Sequence, residues 1–278
     1  MKIAISAETT IDLTKELLET YDIKTTPFTV LLGDKEVLDG EISPQEIFDF
    51  VAESKILPKT SAVNDYQYQE FFDEILKDYD AIIHFSLSSK LSSACTNAKR
   101  VAEKYDNVFV VDTLSLSTGI GLLAIYAREM ACNNVSPREI YANCCQKVKN
   151  IQASFVLKRV DYLYKGGRCS AMSYLGANLL KIRPQILLKD GKMIAGKKYR
   201  GNYAKVVDNY CIDTLEEYDN PNLSHVFLTY TTADDEVIKT AISHLERKGF
   251  KNIHITRAGC TISSHCGEDC LGILYLNG

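Results

Sequence analysis

The sequence predicts an α/β protein of two domains, with a mostly parallel sheet in the first and a mixed α/β arrangement in the second. Apolar runs rich in Ile and Val alternate with segments of helical periodicity through the first half, the pattern of βαβ units. In the second half, two strand-like runs are joined by Lys189-Asp190-Gly191-Lys192, where Asp-Gly supplies the positive φ of a tight hairpin. At 278 residues the chain can bury one large core or two modest ones. No Pro-, Gly- or Ser-rich linker and no repeat marks a boundary, so the change of pattern places it. The expected units are residues 1–152 and 153–278.

Taken in order, residues 2–6, 25–32, 81–86 and 107–112 read as strands, with Ile and Val supported by Phe and Thr. Residues 12–20, 44–53, 65–77, 97–104, 116–132 and 137–149 read as helices. Ser43-Pro44 and Ser136-Pro137 place a capping hydroxyl before a proline at the first helical position, where its missing N–H costs nothing. Beyond these, residues 154–160, 185–188, 192–197, 226–230, 252–256 and 272–276 read as strands, and 203–218 and 234–248 as helices.

Composition narrows the function classes. Hydrophobic residues make up 46% and charged residues 24%, ordinary for a globular protein. The formal net charge of −4, with no long basic run and no aromatic residues interleaved with Lys and Arg, argues against nucleic acid as a partner. Residues 1–6 form a short strand that meets polar residues at once, unlike a signal peptide. No stretch approaches the roughly 20 apolar residues of a membrane span. The expectation is a cytoplasmic protein.

Nine cysteines raise the questions of disulfides and metal. An odd number cannot all pair internally, and a reducing compartment is expected. There is no Cys-x-x-Cys. Cys260, Cys266 and Cys270 surround His265, and Cys266-Gly-Glu-Asp-Cys270 has a zinc half-site spacing, but no second half-site accompanies it. No metal is expected. Cys144 and Cys145 fall in a helical pattern and read as residues of a helix face.

The chemistry-bearing segments are loops. Residues 86–95 carry five serines directly after an apolar strand and before a helix. Helix N-termini present unpaired N–H groups and partial positive charge, so this turn reads either as a plain helix cap, with Ser92 the capping residue, or as an anion site. Lys59-Thr60-Ser61 is a second hydroxyl-bearing loop, and residues 112–119 repeat the strand-into-hydroxyl design. In open α/β sheets such loops gather at the carboxyl ends of the strands, where ligands bind. Tyr164-Lys165-Gly166-Gly167-Arg168 reads as a turn carrying two cations, and Ser263-Ser264-His265-Cys266-Gly267 as a small-residue loop holding an imidazole. A nucleophile elbow, a Walker A loop and a His-Glu-x-x-His motif are all absent. Gly119-Ile-Gly121 matches a dinucleotide fingerprint only loosely, inside an apolar helix.

In collinear order, several segments resemble the DegV family of bacterial fatty-acid-binding proteins. These are Lys59-Thr60-Ser61, Leu87-Ser88-Ser89-Lys90-Leu91-Ser92, Asp112-Thr113 with Ser117 and Gly119-Ile-Gly121, Lys165-Gly166-Gly167-Arg168, and His265-Cys266-Gly267 with Gly272. Leu38-Asp39-Gly40-Glu41-Ile42-Ser43, Leu179-Leu180-Lys181-Ile182-Arg183-Pro184 and Asp190-Gly191-Lys192 extend the likeness over almost the whole chain. The resemblance implies a DegV-like fold of two α/β domains around one acyl chain, and no catalysis by the chain itself. It implies no cofactor, only a long-chain fatty acid such as palmitate, stearate or oleate as ligand. A fatty acid kinase would phosphorylate the presented carboxylate to an acyl phosphate that feeds phospholipid synthesis, with transient membrane contact.

By the same likeness, Thr60 and Ser92 are the carboxylate-binding hydroxyls, and Ser61 and His265 are further fatty-acid-binding candidates. A charge-assisted hydrogen bond of this kind contributes roughly 1.5–3 kcal/mol. Each buried CH₂ of the tail adds about 0.8 kcal/mol, so the tail would supply most of the affinity. Arg168 fits an electrostatic or structural role. Four departures stand out. The family's Ser-Gly is Ser92-Ser93, its following aromatic position is Cys95, its His-x-Gly-Pro-Gly is His265-Cys266-Gly267-Glu268-Asp269, and its early Asp-Ser is Glu8-Thr9. Glu268 and Asp269 are therefore expected to point away from a bound carboxylate. The alternative class is an enzyme transferring phosphoryl or acyl groups itself, with a serine and His265.

Overall fold

The computed structural model describes residues 1–169 and 182–278. Strand β1 (Ile3–Glu8) lies at the centre of a parallel sheet with β2 (Ile23–Thr26), β6 (Ala81–Ser86) and β7 (Val108–Asp112), in the order β2-β1-β6-β7. Every residue of β1 and β6 is buried, as expected of parallel strands covered on both faces. Helices α3 (Asp65–Ile75), α4 (Ala94–Ala102), α5 (Thr118–Cys132) and α6 (Pro137–Lys147) supply the cover.

The run at 25–32 is two strands rather than one. Pro27, which has no N–H to give a ladder, ends β2, and β3 (Thr29–Leu32) leaves for a second sheet. There it pairs antiparallel with β4 (Lys35–Leu38) across Gly33-Asp34, and with β5 (Lys59–Ser61) in the register Val30 opposite Thr60. The Lys-Thr-Ser segment is thus a strand, not a loop. Helix α2 (Pro44–Ser54) packs on this small sheet, started by a capping box between Ser43 and Glu46. Near the N-terminus the expected helix is shorter. A single 3₁₀ turn, Thr9–Ile11, leads into Asp12 at φ 53°, and α1 (Lys15–Thr20) starts only after Thr14 caps it.

The remaining strands build a six-stranded mixed sheet, β10-β9-β8-β13-β11-β12. These are β8 (Ile151–Leu157), β9 (Arg183–Lys189), β10 (Lys192–Tyr199), β11 (Pro221–Tyr230), β12 (Asn252–Arg257) and β13 (Cys270–Asn277). The Asp190-Gly191 hairpin joins β9 to β10 with both residues at positive φ. Helices α8 (Tyr203–Glu217) and α9 (Asp235–Lys248) enclose one core with Val156, Leu228 and Leu271. The larger core draws on both halves, with Ile5, Phe85 and Leu123 in one cluster with Phe155, Phe227 and Leu274. Two short helices were read as loops in the sequence, α7 (Asp161–Gly166) and α10 (Cys260–Cys266). Leu179-Leu180-Lys181, part of the family resemblance, lies outside the described residues. Among the described residues no helix is long and apolar enough to cross a membrane.

Candidate ligand-binding site

A cavity of about 290 Å³ opens where four parts of the chain meet. Thr60 and Ser61 reach it from β5, Ser92 from the turn after β6, Arg168 from just beyond α7, and His265 from α10. All four site residues expected from the sequence therefore line one space. The rest of its wall is largely apolar, including Phe28, Leu87, Leu91, Met193 and Ile262. Leu116, Ile262 and Cys266 also line a narrower recess of about 30 Å³, bounded by Phe155, Gly272 and Leu274, so these three side chains stand between the two spaces.

Thr60 Oγ1 lies 2.8 Å from Nε2 of His265. Burial, followed by the nearby Arg168 guanidinium, pushes the imidazole down to about 4, so His265 is neutral at pH 7. Among the described residues its Nδ1 has no hydrogen-bond partner, and a buried N–H left unpaired costs more than a buried lone pair, which favours the lone pair there. The proton then resides on Nε2, which donates to Thr60 Oγ1 and leaves the threonine hydroxyl hydrogen free to donate to an anion.

Close packing explains the two glycine motifs. A Cβ on Gly166 would lie 2.8 Å from His265 Nδ1, and a Cβ on Gly267 would lie 2.6 Å from the Tyr162 ring at a φ of 71°. The Gly-Gly-Arg and His-Cys-Gly segments thus lock α7 against α10. Arg168 folds back to donate from Nη1 to the Gly166 carbonyl at 2.7 Å.

Helix α10 is held from a distance. Asp39 accepts from the N–H groups of Cys260 and Thr261 at 2.9 and 3.1 Å, and Asp12 accepts from that of Gly259 at 2.8 Å. Two aspartates from the first 40 residues thus satisfy the orphan donors at the helix start. Burial pushes Asp12 up to about 8, aided by the charge of Asp39 and opposed by hydrogen bonds from Ser117 and Gly259. Asp12 consequently carries its proton at neutral pH.

The serine turn is anchored rather than free. Ser93, not Ser92, occupies the capping position of α4, because the helix begins at Ala94. The Ser92 hydroxyl nevertheless accepts from Ala94 N at 3.2 Å, and its own hydrogen stays available. Ser88 Oγ donates to Gly191 O at 2.8 Å, tying the turn to the β9–β10 hairpin. At its base sits Glu8, fully buried, a residue the sequence marked only as a departure from the family. Its carboxylate accepts from Tyr68 Oη at 2.5 Å, Ser86 Oγ at 2.6 Å and Leu87 N at 2.9 Å, with His84 Nε2 at 3.2 Å. Burial would raise its pKa, but the hydrogen bond and charge interaction with His84, joined by Ser86 and Tyr68, hold it below the usual range.

The hydroxyl turn at 112–119 serves the scaffold instead. Thr113 donates to Ser86 O, Asp112 accepts from Ser89 N, and Ser117 donates to Asp12. Glu268 and Asp269 pair with Arg159 and Lys158, at 3.9 and 2.8 Å, and neither lines the cavity. Thr261 was missed. It lines the cavity one helical turn before His265, and only the unexpected helix α10 could have signalled it. Among the described residues no three His, Cys, Asp or Glu gather as metal ligands.

The DegV family model matches residues 2–278. A fatty acid-binding protein of Thermotoga maritima is 33% identical, over 98% of this chain and 96% of its own. A structure from the same organism, described as revealing a fatty acid binding function, has 29% identity, full coverage of both chains and a TM-score of 0.86. A fatty-acid-binding DegV structure from Thermus thermophilus superposes over both full chains with a TM-score of 0.92 at 23% identity, which speaks for the fold. With its family model matched almost end to end and its architecture shared, the chain belongs to the DegV family.

Proposed function

We propose that this protein binds a long-chain fatty acid in the cavity, with the carboxylate against Thr60, Ser92 and His265 and the tail running past Leu116, Ile262 and Cys266. The observation that carries this reading is the convergence of hydroxyl and imidazole donors from distant segments at one apolar cavity. Thr60, polarised by His265, and Ser92 each offer a hydroxyl hydrogen to a carboxylate oxygen, with Ser61 beside them. Each buried CH₂ adds about 0.8 kcal/mol, which favours a long chain over a short one. The names of the two Thermotoga proteins support the same ligand class.

The finer reading is a carrier whose bound carboxylate a fatty acid kinase phosphorylates, with residues 1–152 contributing the hydroxyls and residues 153–278 the imidazole and Arg168. The partner of the imidazole is a threonine rather than a serine, which favours a binding role over a serine nucleophile with its base. Mass spectrometry of the denatured recombinant protein tests the ligand. A co-purifying C16–C18 acid, or uptake of added palmitate or oleate, is expected, and neither appearing would refute it. Incubation with fatty acid and ATP separates carrier from enzyme, since a carrier yields acyl phosphate only when a kinase is added.

A further inference from the structure

We propose that Cys266 and Cys270 are a peroxide-oxidisable dithiol at the neck of the cavity, and that their disulfide obstructs the recess beyond it. Cys266 lines both the wide cavity and the narrow recess, and Cys270 lines the recess. Cys266 ends α10 and Cys270 begins β13, joined by a turn with Gly267 at φ 71° and Asp269 at φ 52°. The two thiols act on each other electrostatically, and neither is in a disulfide. Two other buried thiols have partners elsewhere, Cys169 donating to Met193 O and Cys260 to Ile42 O.

The pair is chemically asymmetric. Burial, then the contact with Cys266, pushes the Cys270 thiol well above its ordinary range, so Cys270 holds its proton. Attack falls to Cys266 because it faces the wider space through which a peroxide would arrive, whereas Cys270 lines only the recess. Its sulfur attacks a peroxide oxygen, an S–O bond forms as the O–O bond breaks, and the departing hydroxide leaves as water with the thiol proton. The Cys270 sulfur then attacks the sulfenic sulfur, forming S–S, breaking S–O and releasing a second water. Two thiols lose two electrons in all, and one peroxide becomes two waters. Cys266 stands between cavity and recess with Leu116 and Ile262, so tying it to Cys270 on the recess wall narrows the passage a tail would take.

The claim that a ligand shields this pair rests on the fatty-acid reading, whereas the claim that the pair oxidises does not. The test treats the reduced full-length protein with hydrogen peroxide, with and without palmitate, then maps the peptide 258–278 by tandem mass spectrometry. In the empty protein the peptide should become lighter by two hydrogens, with the bond between Cys266 and Cys270. Palmitate at about ten times its dissociation constant should slow this about tenfold, by depleting the empty form. Cys270→Ser should instead leave a sulfenic acid on Cys266 that dimedone traps. An unchanged peptide, while exposed Cys132 and Cys145 oxidise, overturns the dithiol. An equal rate with palmitate measurably bound overturns its place at the neck. Failure of palmitate to bind the reduced protein counts against the fatty-acid reading alone, and the disulfide map still decides the dithiol.

Discussion

Thr60 and His265 are 205 residues apart in sequence, yet the threonine hydroxyl oxygen sits 2.8 Å from the imidazole Nε2. A neutral imidazole donating to that oxygen turns the threonine into a directed hydroxyl donor, so the pair acts as one unit. Each side is also braced, Thr60 by its strand register opposite Val30 and His265 by packing against Gly166.

Thr60→Val keeps the shape and removes the donor. Palmitate affinity should fall about 10- to 100-fold, the equivalent of roughly 1.5–3 kcal/mol for one charge-assisted hydrogen bond. Ser92→Ala should weaken binding similarly and also cost about 1 kcal/mol of stability through the lost bond to Ala94 N. Titration calorimetry and denaturant melts of the same samples separate the two effects. Unchanged affinity in both variants would remove these hydroxyls from the site.

Glu8→Gln places an amide among four donors in a fully buried pocket. The expected loss is about 3 kcal/mol in urea unfolding, because buried donors are left facing an N–H₂ group. The Glu8 pKa is lowered on folding, so its contribution is present above the unfolded value of 4.5 and is lost as pH falls through the folded value. Wild type should therefore lose stability below about pH 4.5 more steeply than the Gln variant does.

Asp12 has the opposite sign. Its pKa rises from 3.8 to about 8 on folding, so the folded chain holds a proton that the unfolded chain has released. That contribution is complete below pH 3.8 and declines as pH rises toward about 8. Thermal melts from pH 5 to 9 should show a wild-type decline that Asp12→Asn flattens. Parallel curves would mean that Asp12 is ionised in the folded state.

Arg168→Met removes the cation that, after burial, depresses His265. The imidazole midpoint, followed by its ring C–H signals in NMR, should rise above about 4 but stay below 6.5, because burial remains the larger cause. A midpoint that does not move would place the guanidinium too far away to act on Nδ1.

How far each element was legible followed from how local its cause is. The helix starts at Ser43 and Ser136 and the Asp190-Gly191 hairpin are written in adjacent residues, and each formed where short-range chemistry puts it. Pro27 should have split the run at 25–32, since a missing N–H is itself a local signal. Helix α10 was not readable, because the groups that satisfy its start, Asp12 and Asp39, lie more than 200 residues away. Glu8 was hidden for the same reason, its four partners coming from β6, α3 and the turn between β6 and α4.

By itself, then, the sequence determined the alternation of strands and helices, the parallel first sheet and the hairpin of the second, while the four residues worth testing came from its resemblance to a family. Those follow from periodicity, turn chemistry and motifs within a few neighbours. Tertiary structure alone decided that Thr60 and His265 touch, which ring nitrogen holds the proton, and that Glu268 and Asp269 turn to Lys158 and Arg159. It also decided which cysteines meet. Each of these depends on distances and fields between segments that the chain brings together only when the shared core of Ile5, Phe155 and Leu274 is packed.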